Sequence, residues 1–440
     1  VSPWEIVICV TFHVIAFVLA KDIGFAAGRK TVFSKGTAMK HVVVIGAGQA
    51  GSSCVAKLRN TGFAGEVTLI GTEAVPPYQR PPLSKAYLLG EMALERLFLR
   101  PESFYAENGI NLMLGTTVET IDTFAQTVRA AGQTIAYDEL VLTTGSVPRR
   151  LPARIGGTLD GVHVVRGLAD VDAMRPRFTE GARVLIVGGG YIGLEAASVA
   201  AKLGLKVTLV EMGDRILQRV AAPQTSDFFR ALHTSHGVDI REGVGLERLS
   251  GDTKVTGAVL SDGSELAVDF VIVGVGIEAA TQLADAAGIV IDNGIKTDAY
   301  GRSSAPHVWA AGDCASFPYR GQRIRLESVP NAIDQAECVA GNIMGDDREY
   351  LAKPWFWSDQ YDVKLQIAGL NSGYDRVITR RTDADSIAFW YYRGDELLAV
   401  DAMNDPRGFM IGRRLIEAGK SPAPALVENP DTDMKALLKS

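Results

Sequence analysis

The sequence has little of what builds a disulfide scaffold, a zinc site or a nucleic-acid-binding surface. Its 440 residues contain only 4 cysteines, Cys9, Cys54, Cys314 and Cys338. These lie far apart with no C-x-x-C spacing, which argues against a disulfide framework and against a zinc site. Basic residues number 45 against 51 acidic ones, a net charge of −6. With no polybasic footprint, nucleic acid is not expected as a partner. Low-complexity linkers are absent. A composition of 47% hydrophobic and 22% charged residues excludes a disordered or collagenous chain. At roughly 150 residues per domain, the length predicts two to three domains.

There is one long apolar run, Trp4 to Ala20, broken only by Glu5, Thr11 and His13. As a helix it would span roughly 25 Å, short of a hydrocarbon core of about 30 Å. It lacks the basic start and A-x-A end of a secretory signal. Lys21, Arg29, Lys30 and Lys35 follow it and would keep that side cytoplasmic. Three readings stand: a translated leader upstream of a start at Met39, a weak membrane anchor, or a folded helix. The first is preferred because Met39 stands two residues before a nucleotide-binding strand. Residues 1–39 are therefore set apart, and the body of the chain is expected to be cytoplasmic rather than membrane-bound.

Glycine is in excess, with 46 residues. Tight turns and close backbone approach to a ligand both need residues without a Cβ. From His41 the chain reads HVVVIGAGQAGSSCVAKLRN, a short β-branched run followed by Gly46, Gly48 and Gly51 in the G-x-G-x-x-G spacing. Val42–Ile45 is expected as a buried parallel strand and Ser52–Asn60 as the next helix. In that arrangement Gly46 serves the turn, Gly48 the approach of a pyrophosphate, and Gly51 the packing of helix on strand. The helix N-terminus offers free N–H groups to phosphate. Glu73 follows a second strand, Val67–Ile70, at the distance where an acid holds a ribose.

The pattern returns at RVLIVGGGYIGLEAASVAAKLGLKVTLVEMGDRIL, with Gly188, Gly190, Gly193 and the acid Glu211. One G-x-G-x-x-G would be weak, since glycine also serves packing alone. Two copies, each with strand, helix and acid in place, predict two dinucleotide-binding units. Glu211 would accept hydrogen bonds from ribose hydroxyls of NADH. It would repel a 2′-phosphate by roughly 4 kcal/mol per charge at about 4 Å and an effective dielectric near 20. Met212 and Gly213 offer no offsetting cation; Arg215, one helical turn further on, is a candidate to offset it, with packing or capping as its alternative. NADH is expected over NADPH.

Together with RPPLSKAYL from Arg80, LVLTTGSVPR ending at Arg149, VWAAGDCA ending at Ala315, ESVPNAIDQA from Glu327 and PWFWSDQYD from Pro354, these motifs resemble the FAD-dependent ferredoxin reductases of the putidaredoxin and rhodocoxin reductase group. The resemblance covers the chain from about Lys40 onward. It implies an α/β fold of two Rossmann-like domains, for FAD and NADH, plus a small C-terminal α/β domain. The FAD domain is expected at 40–150 and 270–345, the NADH domain at 151–269, and the C-terminal domain at 346–440. The last is read as strands Val363–Ala368, Ser386–Tyr392 and Glu396–Val400 with a helix Phe409–Ala418.

By the same resemblance Gly46, Gly48, Ala50, Gly51 and Glu73 would hold the ADP part of FAD, with Arg80 and Lys85 along the pyrophosphate and flavin. Val118 would touch the adenine and Arg166 the cofactor from the crossover. Asp313, after Gly312, would bond the ribityl chain, and Val329 would meet the flavin ring. Gly188, Gly190, Tyr191, Ile192, Gly193, Glu195, Glu211 and Gly276 would line the NADH site. Two departures stand out. Thr72 replaces a frequent Asp, and IEAAT (Ile277–Thr281) replaces the usual loop after Gly276.

For the chemistry, an ammonium at Lys85 beside the flavin would stabilise its reduced form, and Glu195 could pair with it. The alternative for each is a surface salt bridge. Tyr191 could cover the flavin until nicotinamide displaces it, or simply pack. No cysteine stands between Tyr78 and Gly90, where disulfide reductases of this general fold need a redox pair and NADH peroxidases or oxidases need one, and Cys54 and Cys314 are read as inert core. Without a thiol relay, a one-electron partner such as an iron–sulfur protein is expected; the resemblance implies a 2Fe-2S ferredoxin serving a cytochrome P-450 monooxygenase or, less favoured, a Rieske dioxygenase. Trp355 and Trp357 are candidates for shaping the flavin edge. Arg320, Arg323 and Arg325, or Arg413 with Arg414, are candidates for a basic docking face. The rivals are an NADH oxidase and a redox-sensing flavoprotein resembling apoptosis-inducing factor.

Overall fold

The structure, a computed structural model, describes residues 41–439; the apolar run and Met39 lie outside the described residues. The run HVVVI forms β1 (His41–Ile45), whose Val42, Val43 and Val44 have no exposed surface. Burial on both faces is what a continuous β-branched run dictates in a parallel sheet. Helix α1 (Gln49–Asn60) begins directly after Gly48, three residues earlier than expected. Strands β2 (Glu66–Ile70), β3 (Ile110–Met113) and β4 (Glu139–Leu142) follow, with an antiparallel three-stranded ribbon, Val118–Asp122, Thr127–Ala130 and Gln133–Ala136, between the last two.

The second unit repeats this plan. It contains β5 (Val162–Val164), β6 (Arg183–Val187), α2 (Tyr191–Lys202), β7 (Lys206–Glu211), α3 (Pro223–Ser235), β8 (Asp239–Glu242) and β9 (Phe270–Val273). All are parallel in the order β8-β7-β6-β9-β5. The chain then returns, and β10 (Val308–Ala310) joins β4, completing the first sheet as β10-β4-β1-β2-β3. The expected domain break before residue 270 is therefore displaced. Phe270–Val273 is a fully buried FVIV run paired with β6, the fourth strand that the second sheet requires. The return to the first unit comes after Val273, where Ile277–Ala279 pairs antiparallel with Ser146–Pro148.

Helix α4 (Val329–Ile343) carries the ESVPNAIDQA segment, and the Ser328 side chain accepts from the Asn331 N–H at its start. Beyond it, β11 (Trp355–Gln360), β12 (Val363–Gly369), β13 (Arg376–Arg381), β14 (Ile387–Arg393) and β15 (Glu396–Met403) form an antiparallel sheet ordered β11-β12-β15-β14-β13. Helix α5 (Pro406–Glu417) packs against it, with the Asp405 side chain capping its start. The sequence reading lacked β11 and β13. The arginine-rich β13 gave no apolar signal because Arg380 is itself buried, donating to the carbonyls of Val427, Asn429, Pro430 and Thr432. Among the described residues no helix is long and apolar enough to cross a membrane.

Candidate functional site

Both nucleotide units open into one cleft of about 1700 Å³. Strand order reverses beside β1 and beside β6, so a crevice opens at the carboxyl end of each. The three glycines of each motif differ in what they allow. Gly46 has φ +114°, and a Cβ there would lie 2.1 Å from the Thr143 carbonyl oxygen; Gly188 has φ +107° and would meet the Gly274 oxygen at 2.4 Å. A Cβ at Gly51 would lie 2.0 Å from the Gly46 oxygen and one at Gly193 would lie 2.1 Å from the Gly188 oxygen. At Gly48 and Gly190, nothing of the protein lies within 4 Å of such a Cβ. Neither helix that follows has a side-chain cap. Each motif thus leaves an open, uncapped helix N-terminus facing the cleft, which fits a pyrophosphate. Gly51, Gly193 and Gly312, expected at the ligand, stand behind the wall and do not line the cleft.

In the first subsite Glu73 is held through both oxygens, by the Tyr78 hydroxyl at 2.5 Å and Arg80 Nη2 at 2.6 Å. A carboxylate oxygen with one donor retains a lone pair for a ribose hydroxyl. Tyr78, which sequence reading missed, also receives bonds from Arg80 Nη1 (3.0 Å) and the Leu168 N–H (3.1 Å). Arg80 also donates to the Arg166 carbonyl at 2.7 Å. Asp313 accepts from Ser146 Oγ at 3.0 Å and lies 4.0 Å from the Arg166 guanidinium. Burial raises the Asp313 carboxyl above its ordinary range, although Arg166 opposes this. Ala50, Val118 and Val329 also line the cleft. These donors and acceptors fit FAD: glycine turn and helix end for phosphate, Glu73 for ribose, Asp313 for a polyol chain.

In the second subsite Glu211 ends β7. Its two oxygens accept from the Gly189 N–H at 2.8 Å and the Gly213 N–H at 2.7 Å. Arg215 is turned elsewhere, donating to Ser226 Oγ and to the Ala221 carbonyl. Met212 is 82% exposed. Ile192 and Gly276 line the cleft, and the IEAAT segment is fixed by its pairing with Ser146–Pro148.

Lys85 and Glu195 meet between the subsites at 2.6 Å, with side chains 17% and 2% exposed. This is a buried pair, not a surface salt bridge. Ser84 Oγ donates to the same Glu195 oxygen at 2.6 Å, and Ser358 Oγ donates to the other at 2.7 Å. Neither serine was foreseen as a partner: Ser84 adjoins Lys85 in sequence, but Ser358 gave no signal. The Tyr191 ring lies 5.0 Å from that of Phe356, and its buried hydroxyl has no partner. Burial keeps that phenol protonated.

Cys54 and Cys314 sit in the core, as expected, and Cys9 lies outside the described residues. Cys54, Cys314 and Cys338 are buried and free, and none lines the cleft. Burial pushes the Cys54 thiol up to about 12. Within YRGQRIR, Arg323 and Arg325 need correction as docking residues, whereas Arg320 stays half-exposed, 3.9 Å from Glu396. Arg323 donates to the Thr297 and Ser316 carbonyls, and Arg325 pairs with Glu327 and donates to the Asp313 carbonyl. These guanidiniums satisfy internal carbonyls and are not free for a partner. Arg413 pairs with Glu417 at 2.7 Å and lies over the Trp355 ring.

Comparison with known proteins agrees with this geometry. Residues 40–336 match the pyridine nucleotide-disulphide oxidoreductase family, and residues 355–438 match the reductase C-terminal family. The chain is 44% identical over 406 residues to a ferredoxin–NAD(P)(+) reductase of Sphingomonas sp., covering 91% of this chain and 97% of the relative. It is 42% identical to the ferredoxin reductase subunit of 5,5′-dehydrodivanillate O-demethylase from Sphingobium sp., covering 90% and 97%. Among solved structures, the covalent putidaredoxin reductase–putidaredoxin complex superposes with a TM-score of 0.88 at 38% identity, covering 92% of this chain and 99% of that one.

Proposed function

The chain belongs to the pyridine nucleotide-disulphide oxidoreductase family as a ferredoxin reductase, and from that premise we propose that NADH, not NADPH, is its electron source and a 2Fe-2S ferredoxin its acceptor. The observation that carries the NADH reading is Glu211. Its carboxylate is fixed by two backbone N–H groups at the end of β7, and the nearest arginine in sequence, Arg215, is bonded elsewhere. A 2′-phosphate placed there would meet a fixed anion at close range.

FAD, when bound, would supply the chemistry that links a two-electron hydride donor to a one-electron acceptor. The protein supplies the rest. Gly46–Ala50 and the first turn of α1 would hold the pyrophosphate, Glu73 the ribose, Asp313 and Arg166 the polyol region, Val118 the adenine, and the Val329 backbone the flavin ring. Lys85 would present its ammonium to the flavin edge, with Glu195 holding it there. Tyr191 would close the nicotinamide side against Phe356. With every described cysteine buried away from the cleft, no thiol stands ready to take the electrons as a pair.

By the resemblance, the ESVPNAIDQA segment favours a cytochrome P-450 as the terminal oxygenase, and a solved relative at 38% identity is the ferredoxin reductase for the CYP199A2 system of Rhodopseudomonas palustris. A relative at 42% identity serves an O-demethylase, so both kinds of system belong in the test. The decisive experiment follows cytochrome c reduction by NADH and by NADPH, with and without an added 2Fe-2S ferredoxin. Reduction that needs the ferredoxin and prefers NADH is expected. Oxygen consumption unaffected by ferredoxin would replace this reading with an oxidase.

A further inference from the structure

Behind the Lys85–Glu195 pair runs a string of hydrogen bonds that the proposed reaction does not use. Ser358 Oγ donates to Glu195 Oε1 at 2.7 Å, and Gln360 Nε2 donates to Ser358 Oγ at 3.2 Å. His233 Nε2 meets Gln360 Oε1 at 2.7 Å, and the Tyr361 hydroxyl meets His233 Nδ1 at 3.2 Å. The directions follow from the partners. An amide oxygen only accepts, so His233 carries its proton on Nε2. Burial holds that imidazole down at about 4, so at neutral pH Nδ1 is free to accept from Tyr361. Every donor from His233 inward points toward Glu195.

The string crosses all parts of the fold. Ser84 and Lys85 come from the first unit, Glu195 from α2, His233 from α3, and Ser358 and Gln360 from one face of β11. Glu195 is 1% exposed, Ser84 is 2% exposed, and Ser358, Gln360 and His233 have no exposed surface. A carboxylate so deeply buried depends on its donors for its position.

We propose that Ser358, backed by Gln360 and His233, is a positioning element that fixes Glu195 and thereby sets how much charge Lys85 presents to the flavin edge. The inference rests on the reading of Lys85 given above. Without the Ser358 hydroxyl, Glu195 Oε1 has no donor. The carboxylate then turns toward Ser84 and Lys85, draws the ammonium away from the cleft, and reduced flavin loses stabilisation.

The test is the midpoint potential of FAD bound to the full chain, measured by equilibrium titration beside a reference dye. Ser358→Ala is expected to shift the reduction equilibrium about tenfold toward oxidised flavin, about 30 mV lower for a two-electron couple. Ser358→Thr keeps the hydroxyl and returns the potential toward the parent value. Gln360→Leu, one step removed, moves it the same way by less, and serves if the alanine variant does not fold. Glu195→Gln separates the two readings. If it shifts the potential while Ser358→Ala and Gln360→Leu leave it unchanged, the positioning role is overturned and the role of Lys85 stands. If none of the three moves it, both are overturned. Loss of FAD content or melting temperature at an unchanged potential marks a purely structural serine and also overturns the proposal.

Discussion

Two acidic residues of the cleft differ in their surroundings, and single substitutions separate the roles proposed for them. Glu211 is occupied by two backbone N–H groups and faces the nucleotide subsite. On the proposed reading, Glu211→Ala removes both the ribose acceptor and the anion that would exclude a 2′-phosphate. The expected result is a fall of about tenfold in kcat/KM for NADH, roughly 1.4 kcal/mol, with no comparable fall for NADPH. Steady-state kinetics with the two nucleotides checks this, and an unchanged ratio would remove Glu211 as the selector. Glu195, by contrast, is almost fully buried and depends on Lys85. Lys85→Met leaves a carboxylate with no cation, a loss of about 3–5 kcal/mol in a buried setting. Lys85→Met combined with Glu195→Leu should recover most of that, because the orphaned charge is gone. Urea unfolding of the two variants beside the parent distinguishes this pair from a surface salt bridge, whose loss would cost no more than about 1 kcal/mol.

At the level of the element, the two glycine motifs make a paired prediction. The protein itself has room for a methyl group at Gly48 and at Gly190, so only a ligand excludes it. Gly48→Ala should fold and lose FAD affinity, while Gly190→Ala should keep FAD and weaken NADH. Flavin content after dialysis and NADH titration read the two effects separately. Gly46→Ala is different, since its Cβ would collide with the Thr143 carbonyl whether or not a ligand is bound. These elements were legible because strand, turn, helix and acid are contiguous, and their spacing follows from local backbone geometry. The pairing of Lys85 with Glu195 was legible only as a match of residue types. Ser358 lies 163 residues from Glu195 in the chain, and a serine in an aromatic strand carries no local sign of its partner. Likewise β9 looked like the first strand of a returning domain, because a buried FVIV run reads the same in either sheet.

At the scale of the whole molecule, α3 joins the second nucleotide unit to the C-terminal sheet through two buried titratable groups that act in opposite senses. Thr225, Phe229 and His233, four residues apart, occupy its buried face. Thr225 donates to Asp401 Oδ2 at 2.8 Å, beside the Tyr391 hydroxyl, while Asp401 Oδ1 is buried without a partner. Burial raises Asp401 to about 6, and burial also lowers His233 to about 4. For Asp401 the folded state binds the proton more tightly than the unfolded state, whose value is about 4. Its contribution is therefore present below pH 4 and lost as pH rises through 6, roughly 3 kcal/mol in all. For His233 the unfolded state, near 6.5, binds the proton more tightly. Stability from that group is full above about pH 6.5 and lost, again by roughly 3 kcal/mol, as pH falls through 4. Between about pH 4 and 6 the two slopes oppose each other. Thr225, the partner of Asp401, and His233 lie two helical turns apart along α3, and the two groups share no hydrogen-bond partner, so their effects are expected to add. Asp401→Asn should therefore make stability climb more steeply with pH than in the parent, and His233→Asn should make it climb less or fall. The double variant should run parallel to the parent. Asp313 and Asp334, also raised by burial, drop out because each comparison is a difference from the parent. Denaturant unfolding at pH 4, 5, 6 and 7 supplies the curves. Single variants that run parallel to the parent would show that neither buried group changes its protonation between the folded and unfolded states.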